Sequence, residues 1–145
     1  MSQKSSGKYV QLQPVLPTVP VTAVGDATKN VGVFTSAILA QPQLTLRGKF
    51  VLAYAEETTI GGMLETWSKA TGKPSVYIRT TSLEEFDSAW PMWGREMGEM
   101  MQLWEELGDK SWSGEELISR EQLGIDPKSL VGVEETFKSM DWSIL

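Results

Sequence analysis

Tryptophan and methionine are concentrated in one short stretch of the sequence. Four of the six Trp and four of the seven Met residues lie between residues 90 and 112. These side chains are large and polarizable, so they suit flat or polycyclic apolar ligands. From Trp93 to Leu107 they recur at helical spacing, which predicts one apolar stripe on a helix over 92–107. The candidate ligand-binding residues are therefore Trp90, Trp93, Met97, Met101, Trp104 and Trp112.

The same stripe has a second interpretation as packed core, which is the more frequent role of apolar residues at helical spacing. An excess of Trp and Met over Leu and Ile favours a binding surface, because Leu and Ile specify cores better. Within the helix, the spacing of Gly94 and Gly98 predicts the close approach of another backbone. The opposite side of the helix is predicted to face water and carries Arg95, Glu96, Glu99, Gln102, Glu105 and Glu106.

Polar groups able to do chemistry are few, because the chain contains no His and no Cys. This composition excludes thiol nucleophiles, His-dependent triads, disulfides and the usual zinc sites. Tyr54, Arg79 and Lys110 are candidate hydrogen-bond donors to a ligand carbonyl, although a core aromatic ring and two surface cations are the more frequent roles of such residues. Glu56 and Glu57 follow a predicted buried strand and precede a helix, so they fit either a site or a helix start.

The charge of the chain and the absence of known motifs disfavour several kinds of partner and cofactor. The net charge of −6 and the sequence pI near 4.7 disfavour nucleic acid as a partner. No apolar run reaches the length of a membrane span and no signal peptide is indicated, which favours a cytoplasmic protein. No glycine-rich phosphate loop and no metal-ligand pair occurs, so no cofactor and no metal are predicted.

The pattern of elements predicts a small α+β domain over 1–145, in which a short sheet is packed by about four to five helices. Strands are predicted over 8–13, 21–24, 49–55 and 75–79, and the apolar run 49–55 is expected to be buried on both faces. Helices are predicted over 30–40, 58–71, from residue 82, over 92–107 and over 132–140. Residues 1–7 are small and polar, so they are expected to be disordered.

Four segments in this order resemble the C-terminal half of fungal NmrA-like proteins, atypical relatives of short-chain dehydrogenases. They are VTAVGDATKNVGVFTSAIL, KFVLAYAEETTIGGMLETWSKATGKPSVYI, SLEEFDSAWPMWGREMGEMMQLWEELGDKSW and LGIDPKSLVGVEETFKSMDW. The resemblance covers about residues 15–142. It rests on the order of these segments along the chain and on their residue composition rather than on a catalytic motif. It implies a substrate-side lobe without the family's dinucleotide-binding half, and hence no nicotinamide binding.

This resemblance implies an apolar face that packs on a cofactor lobe in the family, so a homodimer is expected here. The favoured function is a cofactor-independent enzyme of fungal secondary metabolism. It would bind an apolar polyene, terpenoid or polyketide intermediate and promote cyclisation, isomerisation or cycloaddition by shape and hydrogen bonding. The alternatives are a non-catalytic NmrA-like regulatory or protein-interaction module and a degenerate remnant without function.

Overall fold

A computed structural model of the chain describes residues 2–3, 7–46, 48–111 and 115–143. The predicted α+β class is confirmed, with helices and three small sheets in the described ranges. The helices are α1 (Ala27–Ala40), α2 (Pro42–Thr45), α3 (Ile60–Thr71), α4 (Leu83–Ala89), α5 (Gly94–Leu107) and α6 (Val133–Ser139). The strands are β1 (Ser2–Gln3), β2 (Tyr9–Gln13), β3 (Pro20–Ala23), β4 (Phe50–Val51), β5 (Glu56–Thr59), β6 (Ser75–Arg79) and β7 (Leu117–Ile118).

The chain divides into two compact units, each with its own hydrophobic cluster. The first unit comprises Met1–Val21, Thr58–Ser111 and Asp141–Leu145, and the second comprises Thr22–Glu57 and Trp112–Met140. The sheets have the strand orders β1-β2-β6, β3-β5 and β4-β7. Of the predicted disordered segment 1–7, residues 1 and 4–6 lie outside the described residues, and residues 2–3 form β1.

In the first unit, β2 and β6 run parallel, with Tyr9 opposite Ser75. Helix α3, the element before β6, starts at the Thr59 cap and packs its Trp67 inward. Trp67 is 1% exposed, and its ring lies edge-on to Tyr9 at 5.2 Å and to Trp142 at 5.7 Å. Such edge contacts between aromatic rings add to the stabilisation from burial alone. The helical spacing that predicted α3 therefore also identified its buried face.

The second unit is built around Phe34 of α1, which packs with Ile118, Leu123 and Ile125. Helix α1 starts earlier than predicted, because the Asp26 side chain accepts a hydrogen bond from the Thr28 amide at 3.0 Å. An aspartate in this position satisfies an amide that the helix itself leaves without a partner.

The predicted strand over 49–55 is wrong, because only Phe50–Val51 is extended and paired there. Residues 52–54 adopt no regular structure, and Phe50 is 57% exposed, so the run is not buried on both faces. Burial on both faces requires a neighbouring element on each side, whereas β4 pairs with the two-residue strand β7. Val51 and Ala53 nevertheless pack against the cluster around Phe34, which accounts for the apolar composition.

Candidate functional site

Helix α5 is buried at its two glycines, and only part of its Trp/Met stripe packs against other residues. Gly94 and Gly98 are its buried residues. A Cβ atom on Gly94 would lie 2.9 Å from the Cα of Asp87 in α4, and one on Gly98 would collide with the side chain of Leu83. The predicted close approach of another backbone is thereby confirmed at Gly94, whereas the near neighbours of Gly98 are the side chains of Leu83 and Phe86. Because α4 approaches the glycine side of α5, the buried face is rotated away from the stripe by roughly a quarter turn at 3.6 residues per turn.

This rotation divides the stripe into an inner and an outer part. Met101 and Trp104 are partly buried against Val15, Val19 and Ile60. The outer part is more exposed, because no described element packs across it to the same extent. Trp93, Leu103 and Leu107 are 45%, 46% and 43% exposed, and Met100 is partly buried. We call Trp93, Met100, Leu103 and Leu107 the outer face of α5.

Sequence analysis missed Met100, Leu103 and Leu107 as candidate site residues. A signal for them was present, because Trp93, Met100 and Leu107 are spaced by seven residues and Leu103 falls between them. A seven-residue apolar repeat on a helix is typical of a surface that receives a second helix. The sequence prediction treated this seven-residue repeat and the 3.6-residue pattern of buried residues as one stripe. It therefore assigned the inner and the outer part of the stripe to a single face of α5.

The turn between α4 and α5 carries two tryptophans and an exposed methionine. The rings of Trp90 and Trp93 lie 5.4 Å apart at 34°, and Phe86 meets Trp93 edge-on at 6.4 Å. The Nε1 atom of Trp90 is buried and has no hydrogen-bond partner in the described part of the chain. Met92 is fully exposed and has a positive φ of 84°, a conformation that costs energy for any residue with a Cβ atom.

Acidic side chains surround this apolar surface. Residues 83–107 carry seven carboxylates and one cation, so this segment has a formal charge of −6, equal to that of the whole chain. The hydrogen bonds from the amide and hydroxyl of Thr81 lower the pKa of Glu85 and keep it ionised at neutral pH. Hydrogen bonds at the start of α4, from its own amide and from Ser82, likewise lower the pKa of Glu84.

Arg79, a candidate donor, is engaged in contacts within the first unit. Its Nε donates to the carbonyl of Pro14 at 3.3 Å, and its guanidinium pairs with Glu105 at 3.2 Å. Glu105 also accepts a hydrogen bond from the amide of Leu16 at 2.8 Å. The prediction that Glu105 faces water is therefore wrong, because this carboxylate joins α5 to the loop after β2 and to β6.

The other candidate donors lie in different surroundings. Tyr54 belongs to the second unit, where the guanidinium of Arg120 lies 4.5 Å from the centre of its ring. Lys110 belongs to the first unit and is exposed in the short 3-10 turn that follows α5. Trp112, a candidate binding residue, lies outside the described residues. Their roles toward a common ligand stay predictions.

The two carboxylates Glu56 and Glu57 do not follow a buried strand, since they open β5 instead. Glu56 accepts a hydrogen bond from the amide of Val133 at 3.3 Å, in the first turn of α6. A carboxylate at a helix N-terminus is favoured by the helix dipole. The helix-start interpretation is thus correct for Glu56, but the helix is α6 and not the adjacent α3.

Within the described ranges, none of the helices combines the length and apolar character needed to cross a bilayer. In the same ranges, no group of three or more acidic residues is arranged to hold a metal ion. Comparisons of the chain with protein-family models, with curated proteins and with solved structures found no match.

Proposed function

We propose that the chain is a non-catalytic, cytoplasmic interaction module that binds an amphipathic helix of another protein through the outer face of α5. The observation that carries this proposal is the exposure of Leu103 and Leu107 along one side of α5 and of Trp93 at the start of the helix, each close to half. Large apolar side chains grouped on a surface typically mark a contact with a partner. Trp93 is the natural anchor, because tryptophan is enriched among residues that dominate binding energies.

The dimensions of this surface suit a helix better than a small ligand. Trp93 and Leu107 are separated by 14 residues, or roughly 21 Å at 1.5 Å per residue. The seven-residue spacing of Trp93, Met100 and Leu107 lets a second helix keep contact along this whole length. Met100 adds adaptability, because its unbranched and polarizable side chain fits partners of different shape.

The resemblance to NmrA-like proteins forms part of the same proposal. Some members of that family act as regulators rather than as oxidoreductases. A regulatory role of that kind fits the binding of another protein.

A second candidate function is the cofactor-independent conversion of an apolar polyene, terpenoid or polyketide intermediate. The observation favouring it is the buried Nε1 of Trp90, which has no partner in the described part of the chain and lies beside the ring of Trp93. A ligand that inserts beside Trp90 with a carbonyl oxygen in the plane of its indole ring would satisfy that N–H group. Quenching of Trp fluorescence by such a compound, lost in Trp90→Phe, is the expected result.

The interaction function is tested with a designed helical peptide of 18 residues, with Leu at the seam positions and Gln on its flanks. Fluorescence anisotropy of the labelled peptide reports binding to the full chain. We expect micromolar binding that weakens at least tenfold in Leu103→Gln, since this change removes apolar contact from an already exposed position.

The matched control is Leu39→Gln, which changes an equally apolar side chain on α1 that is 75% exposed. This variant should bind as the parent does, and circular dichroism should show that both variants fold. Absence of binding to the parent, or equal weakening in both variants, contradicts the proposed function.

A further inference from the structure

We infer that the partner helix is basic and that it places a Lys or Arg against Glu96. This inference rests on the proposed function and specifies the chemistry of its partner. The inference follows from the charged residues that lie within the outer face of α5 and along its border. Neither the apolar repeat alone nor the resemblance to a family requires a basic partner.

Glu96 lies within the apolar surface itself. It precedes Met100 by four residues and Leu103 by seven, so all three point to one side of α5. Glu96 is exposed in the free protein and its carboxylate is hydrated. A helix docked on the outer face would cover this carboxylate, and an unpaired charge that loses its water destabilises a complex. A cation at the facing position of the partner removes that cost.

Glu99 and Glu106 border the same surface one step further round the helix, again seven residues apart. In paired helices, residues at such flanking positions select partners of opposite charge. Arg95 contacts Glu99 at 3.0 Å, but both side chains are more than half exposed. Because exposed ion pairs contribute little stability, a partner cation can replace Arg95 at small cost.

A second copy of the chain is the competing occupant, in line with the homodimer expected from the sequence. Pairing two copies through this face would bring the carboxylates Glu96, Glu99 and Glu106 of one copy close to those of the other. Like charges at an interface disfavour a complex strongly. The charge pattern therefore favours a different, basic chain over self-association at this surface.

The inference is tested with three peptides that share the Leu seam of the 18-residue probe. One has Lys on its flanks and opposite Glu96, the second has Gln there and the third has Glu. At about 50 mM salt we expect the Lys peptide to bind about tenfold tighter than the Gln peptide, since a few rim pairs each contribute a few-fold. At about 500 mM salt the two affinities should agree within about twofold.

The variant Glu96→Gln/Glu99→Gln should lose the preference for the Lys peptide, because the carboxylates that select a cation are absent. Its control, Glu115→Gln/Glu135→Gln, alters the net charge equally at exposed positions of the second unit and should keep the preference. Equal preference in both variants would mean that the net charge, and not this face, selects the peptide.

The outcomes separate the two proposals. If the Gln and Lys peptides bind equally well at low salt, the basic partner is wrong while the interaction function stands. If no peptide binds, the interaction function itself is wrong. If sedimentation shows a dimer at micromolar concentration that Leu103→Gln dissociates, a second copy occupies this face and the inference is overturned.

Discussion

Replacing Asn30 by Asp tests whether one buried amide joins three segments of the second unit. Asn30 has no exposed surface. Its Nδ2 donates to the carbonyls of Val24 at 2.7 Å and Val131 at 2.8 Å, and its Oδ1 accepts from the amide of Val131 at 2.9 Å. Asn30→Asp preserves the acceptor but places a second oxygen against two carbonyl oxygens. The two side chains have almost the same shape, so the change in unfolding free energy reports the loss of hydrogen bonds and not a change in packing.

The expected cost at neutral pH is about 3–5 kcal/mol of unfolding free energy, the range for a buried charge left without a partner. Burial and the two facing carbonyls raise the pKa of the introduced carboxyl above its unfolded value of about 3.9. A raised folded pKa means that stability is retained below the unfolded pKa and lost as pH rises toward the folded one. The slope between the two is about 1.4 kcal/mol per pH unit.

Below about pH 4 the introduced group is neutral in both states, and its O–H can donate to one of the two carbonyls. The deficit should then shrink to about 1–3 kcal/mol, the cost of one unmade buried hydrogen bond. Urea unfolding followed by circular dichroism between pH 4 and 8 measures this dependence relative to the parent chain. The control is Gln43→Glu, the same amide-to-acid change at an exposed position of α2.

The reasoning is refuted if Asn30→Asp matches the parent at pH 7, or if its deficit does not change with pH. If the variant is unfolded at pH 7, the measurement at pH 4 still tests the prediction, because we expect the variant to fold again when the pH is lowered. A pH dependence of similar size in Gln43→Glu would assign the effect to net charge instead of to the site of Asn30.

Three further predictions concern single residues. Gly94→Ala should lower the unfolding free energy by about 1–2 kcal/mol in urea titrations, because the added Cβ would meet the α4 backbone. The control Gly32→Ala should raise the unfolding free energy by about 0.5–1 kcal/mol, because no atom lies within 4 Å of its added Cβ. Met92→Gly should raise Tm by about 2–3 °C in calorimetry, because Gly tolerates the positive φ; an unchanged or lower Tm contradicts the strain. Tyr77→Phe should cost about 1–2 kcal/mol, since the carbonyl of Val15 loses its donor at 2.9 Å. Burial raises the pKa of Tyr77 to about 12, so its contribution is complete below pH 10 and lost as pH rises from 10 toward 12. A phenolate titration in which Tyr77→Phe lacks the highest step checks this value.

Local sequence signals predicted several elements well, because the interactions that form them lie within a few residues. Ser82 accepts a hydrogen bond from the Glu85 amide at 3.2 Å and caps α4, in agreement with the helix predicted from residue 82. The strand predicted over 75–79 and the helix predicted over 58–71 correspond to β6 and α3. Capping groups, helix-ending glycines and apolar spacing act over one or two turns and can therefore be read without a partner element.

Elements that depend on distant partners were not predictable in this way. The strand β5 contains Glu56 and three further polar residues, and it is extended because it pairs with β3. The run 49–55 has strand composition, yet only Phe50–Val51 forms a strand, which pairs with the two-residue strand β7. Strand propensity depends strongly on neighbouring strands, so composition alone gave the wrong result at both places.

The candidate site shows the same division between local and tertiary information. The sequence by itself determined that residues 94–107 form a helix with Trp and Met along one side, because that periodicity is a property of the chain. It could not determine which side is buried. The contact of α4 with Gly94 and Gly98 decided which side is buried. Because glycine has no side chain, α4 can lie close to α5 at these positions, and α4 residues such as Phe86 are buried there. With that side occupied, Trp93, Leu103 and Leu107 remain on the surface.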